Sequence, residues 1–368
     1  MEYALTLANL FEIKKEYAQN IITLLDDGNT IPFIARYRKE MHGSMDDQLL
    51  RAFSEKLEYL RTLDKRREEI RTLIRGQEQL TDTVNAALDN AQTLSELEDI
   101  YRPYRPKRKT RASVAKERGL EPLAQAILGQ EKNFHPLAYA EQFLDEKKDV
   151  PTVQDAIRGA MDIIAEMLSD SAEIRKKLRT AFRGGAMLKS VAVHKEQDSV
   201  YTNYYDFCEP VKSIAGHRIL AINRGEKEGF LKVGLTIESE PLLRMITACV
   251  DKHRNPACSE ILEAAGEDAY TRLIFPSIER EIRAELTEAA DENAMKVFAT
   301  NLKQLLMQPP LKGKTVLGLD PGYRTGCKVA VVDDTGKVLD TAVIYPTHSA
   351  EKIARSKQIL LHLIKNIR

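Results

Sequence analysis

The stretch VLGLDPGYRTGCKVAVVDDTGKVL, residues 316–339, decides how the last part of this chain folds. Val316 to Leu319 is a short apolar run that ends at Asp320-Pro321-Gly322, where proline cannot donate to a central ladder and glycine admits a tight turn. A strand therefore stops at Asp320. Cys327 to Val332 is again apolar and β-branched, the Asp333 to Gly336 cluster is a turn, and Lys337 to Tyr345 reads as a third strand. Ser349 to Arg368 carries Ile353, Leu360, Leu361, Ile364 and Ile367 among lysines and arginines, which predicts an amphipathic helix. Three strands and one helix cover too little of a sheet to close a layered domain. The unit is expected to be the opening of a larger α/β domain, and the chain to be a truncated piece.

The rest of the chain, working backwards, is read as helical. Gln308-Pro309-Pro310-Leu311-Lys312-Gly313 is the strongest domain boundary. Ser277 to Met307 precedes it as a long helix with Ile278, Ile282, Leu286, Ala290 and Val297 on one side. Pro241 to His253 is another helix. Between Met187 and Ser239, KSVAVHK and LKVGLTIES predict two or three short strands around AINRGEKEG, which reads as a turn signal. Further helices are expected at Val153 to Leu168, Ile174 to Phe182, Leu137 to Phe143 and Leu120 to Leu128, and over Thr81 to Ala91 and Leu94 to Ile100. Leu49 to Ile74 is a long, charge-laced helix, and Leu5 to Leu25 a helix or helix pair closed by Asp26-Asp27-Gly28-Asn29. The fold class is mainly α, with three regions: 1–75, 76–310 containing a β insertion near 187–239, and 311–368.

Composition excludes several classes. The chain has 368 residues, 43% of them hydrophobic, enough for ordinary cores and far from the disorder class. Lys plus Arg and Asp plus Glu are 55 each, so a polyanionic partner must be met by a local basic patch. The four cysteines, at 208, 249, 258 and 327, have no CxxC spacing, and the start has no signal-peptide pattern. No run approaches the roughly 18 apolar residues of a membrane helix. A reduced, cytoplasmic setting with no membrane association is expected.

Residues 99–118 hold eight Lys and Arg against two acids. Pro103 and Pro106 are expected to keep this tract extended, so that Arg102, Arg105, Lys107, Arg108, Lys109 and Arg111 face phosphates while Tyr101 and Tyr104 stack on bases. The competing reading is a surface loop whose arginines pair with carboxylates of neighbouring helices. Lys312-Gly313-Lys314-Thr315 is not a P-loop, since Gln308 stands where its first glycine belongs and a strand comes after it. Cys249, His253 and Cys258 lack a fourth ligand and knuckle spacing, so no zinc site is expected.

Asp320 sits where nucleases of the ribonuclease H type hold one of two Mg²⁺ ions, but such a site needs further acids from later strands and a late helix. Asp333 and Asp334 fall at the far end of the second strand and do not supply them. The same loop also reads as a phosphate cradle around Gly322 and Gly326 or as a simple capped turn.

Four blocks carry a resemblance: TIPFIARYRKE at 30–40, DIYRPYRPKRKTRASVAKERGLEPLA at 99–124, HRILAINRGEKEG at 217–229 and GLDPGYRTGCKVAVVD at 318–333. In this order they resemble the signature blocks of the bacterial Tex family, the last being similar to the start of a YqgF-type ribonuclease H-like domain. The resemblance implies a helix-turn-helix-like start, a helical body and a YqgF-like domain that generally lacks a full nuclease site. It also implies a nucleic-acid-binding transcription accessory protein, with later helix-hairpin-helix and OB-fold parts absent from this sequence.

The expectation is therefore a non-enzymatic scaffold needing no cofactor. It would bind RNA or single-stranded DNA weakly in this piece and work beside RNA polymerase or the ribosome. A metal-dependent nuclease using Asp320 and Mg²⁺ is the rival, and a protein-docking module without nucleic-acid binding is a third reading.

Overall fold

The computed structural model describes residues 2–106, 108–252, 255–309, 312–322 and 324–365. Contacts divide the chain into two compact units, Met1–Asp291 and Glu292–Arg368.

The first unit opens with α1 (Tyr3–Leu10), α2 (Lys15–Asp26) and α3 (Ile31–Tyr37), with Pro32 in the first turn of α3. The apolar run from Leu5 to Leu25 is thus a helix pair. Gly28, at φ +80°, takes the left-handed conformation that turns the chain from α2 towards α3. Next comes α4 (Asp47–Arg75), 29 residues long, started by Asp46, whose carboxylate accepts the Leu49 amide at 2.8 Å. Its apolar stripe serves two cores in succession. Leu50, Phe53, Leu57 and Leu60 pack with Leu7, Ile21 and Ile34. Leu63, Ile70 and Ile74 then pack with Leu88, Leu97 and Tyr101 from α5 (Asp82–Asn90) and α6 (Leu94–Tyr101). Arg67 of α4 is buried there because its Nε and Nη2 donate to the Leu88 and Ala91 carbonyls, both at 2.8 Å, satisfying the open end of α5.

The third and largest core gathers around α10 (Val153–Asp170), which packs against α7 (Arg111–Glu117), α8 (Glu121–Gly129) and α9 (Pro136–Ala140). Close approach depends on small residues, Ala156, Gly159 and Ala160 on α10. A Cβ on Gly159 would lie 2.3 Å from Leu120 Cδ1, so no larger residue fits without displacing Leu120. The chain continues through α11 (Ala172–Gly185), β1 (Met187–Ala192), β2 (Asp206–Pro210), α12 (Gly216–Lys227), β3 (Leu231–Thr236), α13 (Glu240–Val250) and α14 (Pro256–Asp268). A π-helical turn, Ala269–Ile274, then leads without a break into α15 (Phe275–Leu306).

The β insertion is a three-stranded antiparallel sheet in the order β2-β1-β3. AINRGEKEG is not a turn: it lies largely in α12, because Ile219, Ile222 and Gly225 face the interior and the chain reverses only at Gly229, at φ +81°. Glu226 in that helix is ion-paired with Arg283 of α15. Helix α14 is not among the elements expected from the apolar pattern; Asn255 starts it by accepting the Ala257 amide at 3.1 Å.

One buried charge cluster joins three helices of this unit. Asp99 of α6 accepts from Arg175 Nε at 2.7 Å and from Arg179 Nη2 at 2.8 Å, both on α11. Arg179 Nε also donates to Glu281 of α15 at 2.6 Å, and Arg175 Nη2 to Ser277 at 3.2 Å. Asp99, Arg175 and Arg179 are all buried.

The second unit contains the expected meander, β4 (Val316–Asp320), β5 (Cys327–Val332) and β6 (Val338–Ile344), antiparallel in the order β4-β5-β6. Helix α16 (Ala350–Lys365) covers one face through Leu363, against Cys327, Val329, Val331 and Ile344. The contact division falls inside α15, where every residue from Asp291 to Leu306 is exposed, Val297 included, although the apolar spacing puts Val297 on the packed side.

Removing one member of a buried ion cluster strands the others. Asp99→Ala should lower unfolding stability in urea by about 3–5 kcal/mol. Glu285→Ala, which removes the exposed pair with Arg183, should cost less than about 1 kcal/mol. Equal losses from the two would deny the cluster its structural role. Limited proteolysis is expected to cut first between Gln308 and Lys314 and to leave a resistant fragment ending near there; general degradation without such a fragment would argue against a linker at that point.

Candidate nucleic-acid interface

The basic tract begins where α6 ends. Thr93 caps α6 by accepting the Glu96 amide at 3.2 Å. The Glu96 carboxylate receives Lys176 Nζ at 2.7 Å and the Gln92 amide at 2.8 Å, which together hold it below the usual carboxylate range. With Glu96 and Asp99 both bound to α11, the exit direction of the chain after Tyr101 is set.

The first residues of the tract turn inward. Arg102–Tyr104 is a 3-10 turn and not the extended segment expected from Pro103 and Pro106; Pro103 fits its first turn, where no amide is needed. Arg102 is half-buried with Nε 3.3 Å from Asp170. Burial, and after it the charge of Arg175, push its guanidinium below the ordinary arginine value. Arg105 bonds to Glu98, and its guanidinium lies 5.7 Å from the Tyr101 ring. Arg66 lies 5.8 Å from the same ring and donates to Glu98 at 2.7 Å. Tyr101 is a core residue, 6% exposed, and so has no free face for a base. Tyr104 is half-buried, its carbonyl accepting from Gln77 at 2.9 Å.

The later residues turn outward. Lys107 lies outside the described residues. Arg108, Lys109 and Arg111 are exposed, and among the described residues none of them has a carboxylate within ion-pair distance. Arg111 exerts a weaker pull on Asp162, whose own carboxyl is raised chiefly by burial. A capping box closes the strap: Ser113 N donates to Thr110 Oγ1 at 3.0 Å and Thr110 N to Ser113 Oγ at 2.8 Å. Beyond it Lys116 pairs with Glu121 at 3.2 Å and Arg118 with Asp149. The tract therefore presents Arg108, Lys109 and Arg111 together and directs Arg102 and Arg105 to neighbouring carboxylates.

Asp320 ends β4 opposite Lys328 of β5 and is exposed. The turn after it is tight, since a Cβ on Gly322 would meet the Gly326 carbonyl oxygen at 2.4 Å. Asp333 caps the far hairpin through the amides of Thr335 and Lys337, each at 2.9 Å, which puts it at the other end of β5. Among the described residues no group of three or more His, Cys, Asp or Glu is placed to hold a metal ion. Cys249 donates to the Met245 carbonyl at 3.2 Å and Cys258 is buried, while His253 lies outside the described residues.

Comparison with known proteins bears on the whole chain. Residues 1–75 match a Tex-like protein N-terminal domain, 131–298 the Tex central region-like family and 314–368 the Tex protein YqgF-like domain. The chain is 47% identical over 343 residues to uncharacterized protein YdcI of Bacillus subtilis, covering 92% of this chain and 48% of that protein. It is 38% identical over 360 residues to the transcriptional accessory protein Tex of Neisseria gonorrhoeae, covering 94% and 46%. The human S1 RNA-binding domain-containing protein 1 is 33% identical over 341 residues, covering 89% of this chain and 34% of that protein. The chain thus spans about half the length of the curated bacterial relatives it matches. Three family models in chain order, supported by relatives aligned over nearly all of its residues, show that this chain belongs to the Tex family.

Proposed function

We propose that this chain is the nucleic-acid-contacting scaffold portion of a cytoplasmic transcription accessory protein and carries no catalytic activity of its own. The class is supported by what two relatives are named for, transcriptional accessory action and S1 RNA binding. The observation that carries the surface is the outward strap. Among the described residues, Arg108, Lys109 and Arg111 are exposed and uncommitted, beside arginines that are already paired. Uncommitted cations on a fixed turn attract a phosphate backbone irrespective of base sequence. Lys107 belongs to the same stretch and is included in the proposal. RNA polymerase or the ribosome is the setting in which such a scaffold would act.

The combined change Arg108→Ala, Lys109→Ala, Arg111→Ala should weaken binding to all oligonucleotides alike. The dependence of log affinity on log salt should flatten by about 0.7 per lost contact on a single strand. The melting temperature should hardly change. Arg105→Ala should leave the salt dependence as it was, because its partner is Glu98. A triple variant with unchanged salt slope would remove the strap from the interface.

The absence of catalysis is a proposal of its own. A two-ion mechanism needs several converging carboxylates, and across the strand pair Asp320 faces Lys328. Incubation with branched and single-stranded substrates and Mg²⁺ or Mn²⁺ should give no cleavage. Cleavage that disappears in Asp320→Asn would establish the nuclease instead.

A further inference from the structure

Helix α3 presents a second cationic surface of different character. Ile34, 1% exposed, anchors the helix in the first core, with Ile31 and Ala35 packed beside it. Phe33, Arg36 and Tyr37 then share the opposite face, at i, i+3 and i+4. The Phe33 and Tyr37 rings lie 5.3 Å apart at 46°, and Tyr37 is 62% exposed. The Arg38 guanidinium lies 5.2 Å from the Phe33 ring, and its Nη1 donates to the Tyr37 carbonyl at 3.1 Å. Arg36 and Lys39 are exposed, and among the described residues neither they nor Arg38 has a carboxylate within ion-pair distance. Glu40 is the one acid in the stretch 30–43. Tyr17 flanks the same stretch, its ring where a Cβ on Gly43 would come within 2.8 Å, with Lys14 Nζ 5.9 Å from the ring centroid.

We propose that Phe33, Tyr37 and Arg38 form a base-stacking platform for single-stranded nucleic acid, with Arg36 and Lys39 holding the adjoining phosphates. The proposal rests on the nucleic-acid reading above and adds a second place on the molecule, on α3, where a single strand is held. The chemistry favours it on two counts. Arg36, Arg38 and Lys39 have no acidic partner among the described residues, the charge complement of a phosphate backbone. Flat base faces are available in single strands and hidden in a duplex, and an exposed tyrosine beside a stacked guanidinium is what a splayed base packs against.

The chain has no tryptophan, so Tyr37→Trp places a sole indole reporter in the platform. Titrating this variant with oligo-U, oligo-dT and a duplex of equal length should quench its fluorescence with either single strand and much less with the duplex. The relative strength of the two single strands tells RNA from DNA. Tyr37→Ala should weaken single-strand binding about tenfold, within the range that base–aromatic stacking spans, with the salt slope unchanged because no phosphate contact is lost. Tyr37→Phe should bind like the parent. Thermal melting checks that each variant is folded, as expected for an exposed side chain. Full-strength single-strand binding by Tyr37→Ala together with no quenching in Tyr37→Trp overturns the platform and leaves the strap reading standing. Equal quenching by the duplex also overturns it. A parent chain that binds no oligonucleotide overturns both.

Discussion

The Asp99 carboxylate, buried between Arg175 and Arg179, is the constraint on which the architecture of the first unit turns. Two guanidiniums cannot be placed in an interior without counter-charges, and Asp99 and Glu281 supply them from two other helices. Each partner therefore fixes the others. α6 cannot slide along α11 without stranding an arginine, and α15 is held to α11 by the same side chains. Such clusters contribute little net stability compared with apolar packing of the same volume, while breaking one is costly. Their effect is on which arrangement is allowed.

The residues after Asp99 inherit its geometry. Arg102 emerges one turn later beside Asp170, and Arg105 returns to Glu98, a carboxylate it shares with Arg66. Among the described residues, Arg108 is the first cation of the tract without a carboxylate within ion-pair distance, and the capping box at Thr110 and Ser113 starts α7. The run of like charges is thereby divided, among the described residues, into arginines that build the fold and cations that face solvent. The platform on α3 obeys a similar rule at smaller scale. Ile34 and its neighbours hold the helix down, and the residues three and four positions apart are left to present rings and guanidinium groups outward.

Much of this is legible in the amino-acid pattern. Apolar periodicity marks α4, α10 and α15, and the Asp-Pro-Gly and Asp-Asp-Thr-Gly breaks mark the meander of the second unit, because both signals are local. AINRGEKEG misleads for a physical reason. Its two glycines and its charges look like a turn, yet Gly225 is buried where Leu231 and Tyr201 come closest, and Glu226 has Arg283 to neutralise it. The tract at 99–118 misleads in part. Its prolines suggest an extended strand, but Pro103 sits in the first turn of a 3-10 helix, and Tyr101, which looks like a stacking ring, lies in the core beside Leu97. The spacing of Phe33, Arg36 and Tyr37 is available as a signal for the platform, though nothing local says that Ile34 faces inward.

The sequence by itself determined the mainly helical class, the three-stranded start of an α/β domain, and membership of a family through blocks spread over the chain. The first two rest on backbone preferences and apolar spacing, which act within a few residues. Only the tertiary structure decided which charges are free. Asp99 meets Arg175 and Arg179 across 76 and 80 residues, and Glu281 meets Arg179 across 102. Whether an arginine is a fastener or a contact depends on the acid that folding brings beside it, and no local pattern encodes that distance.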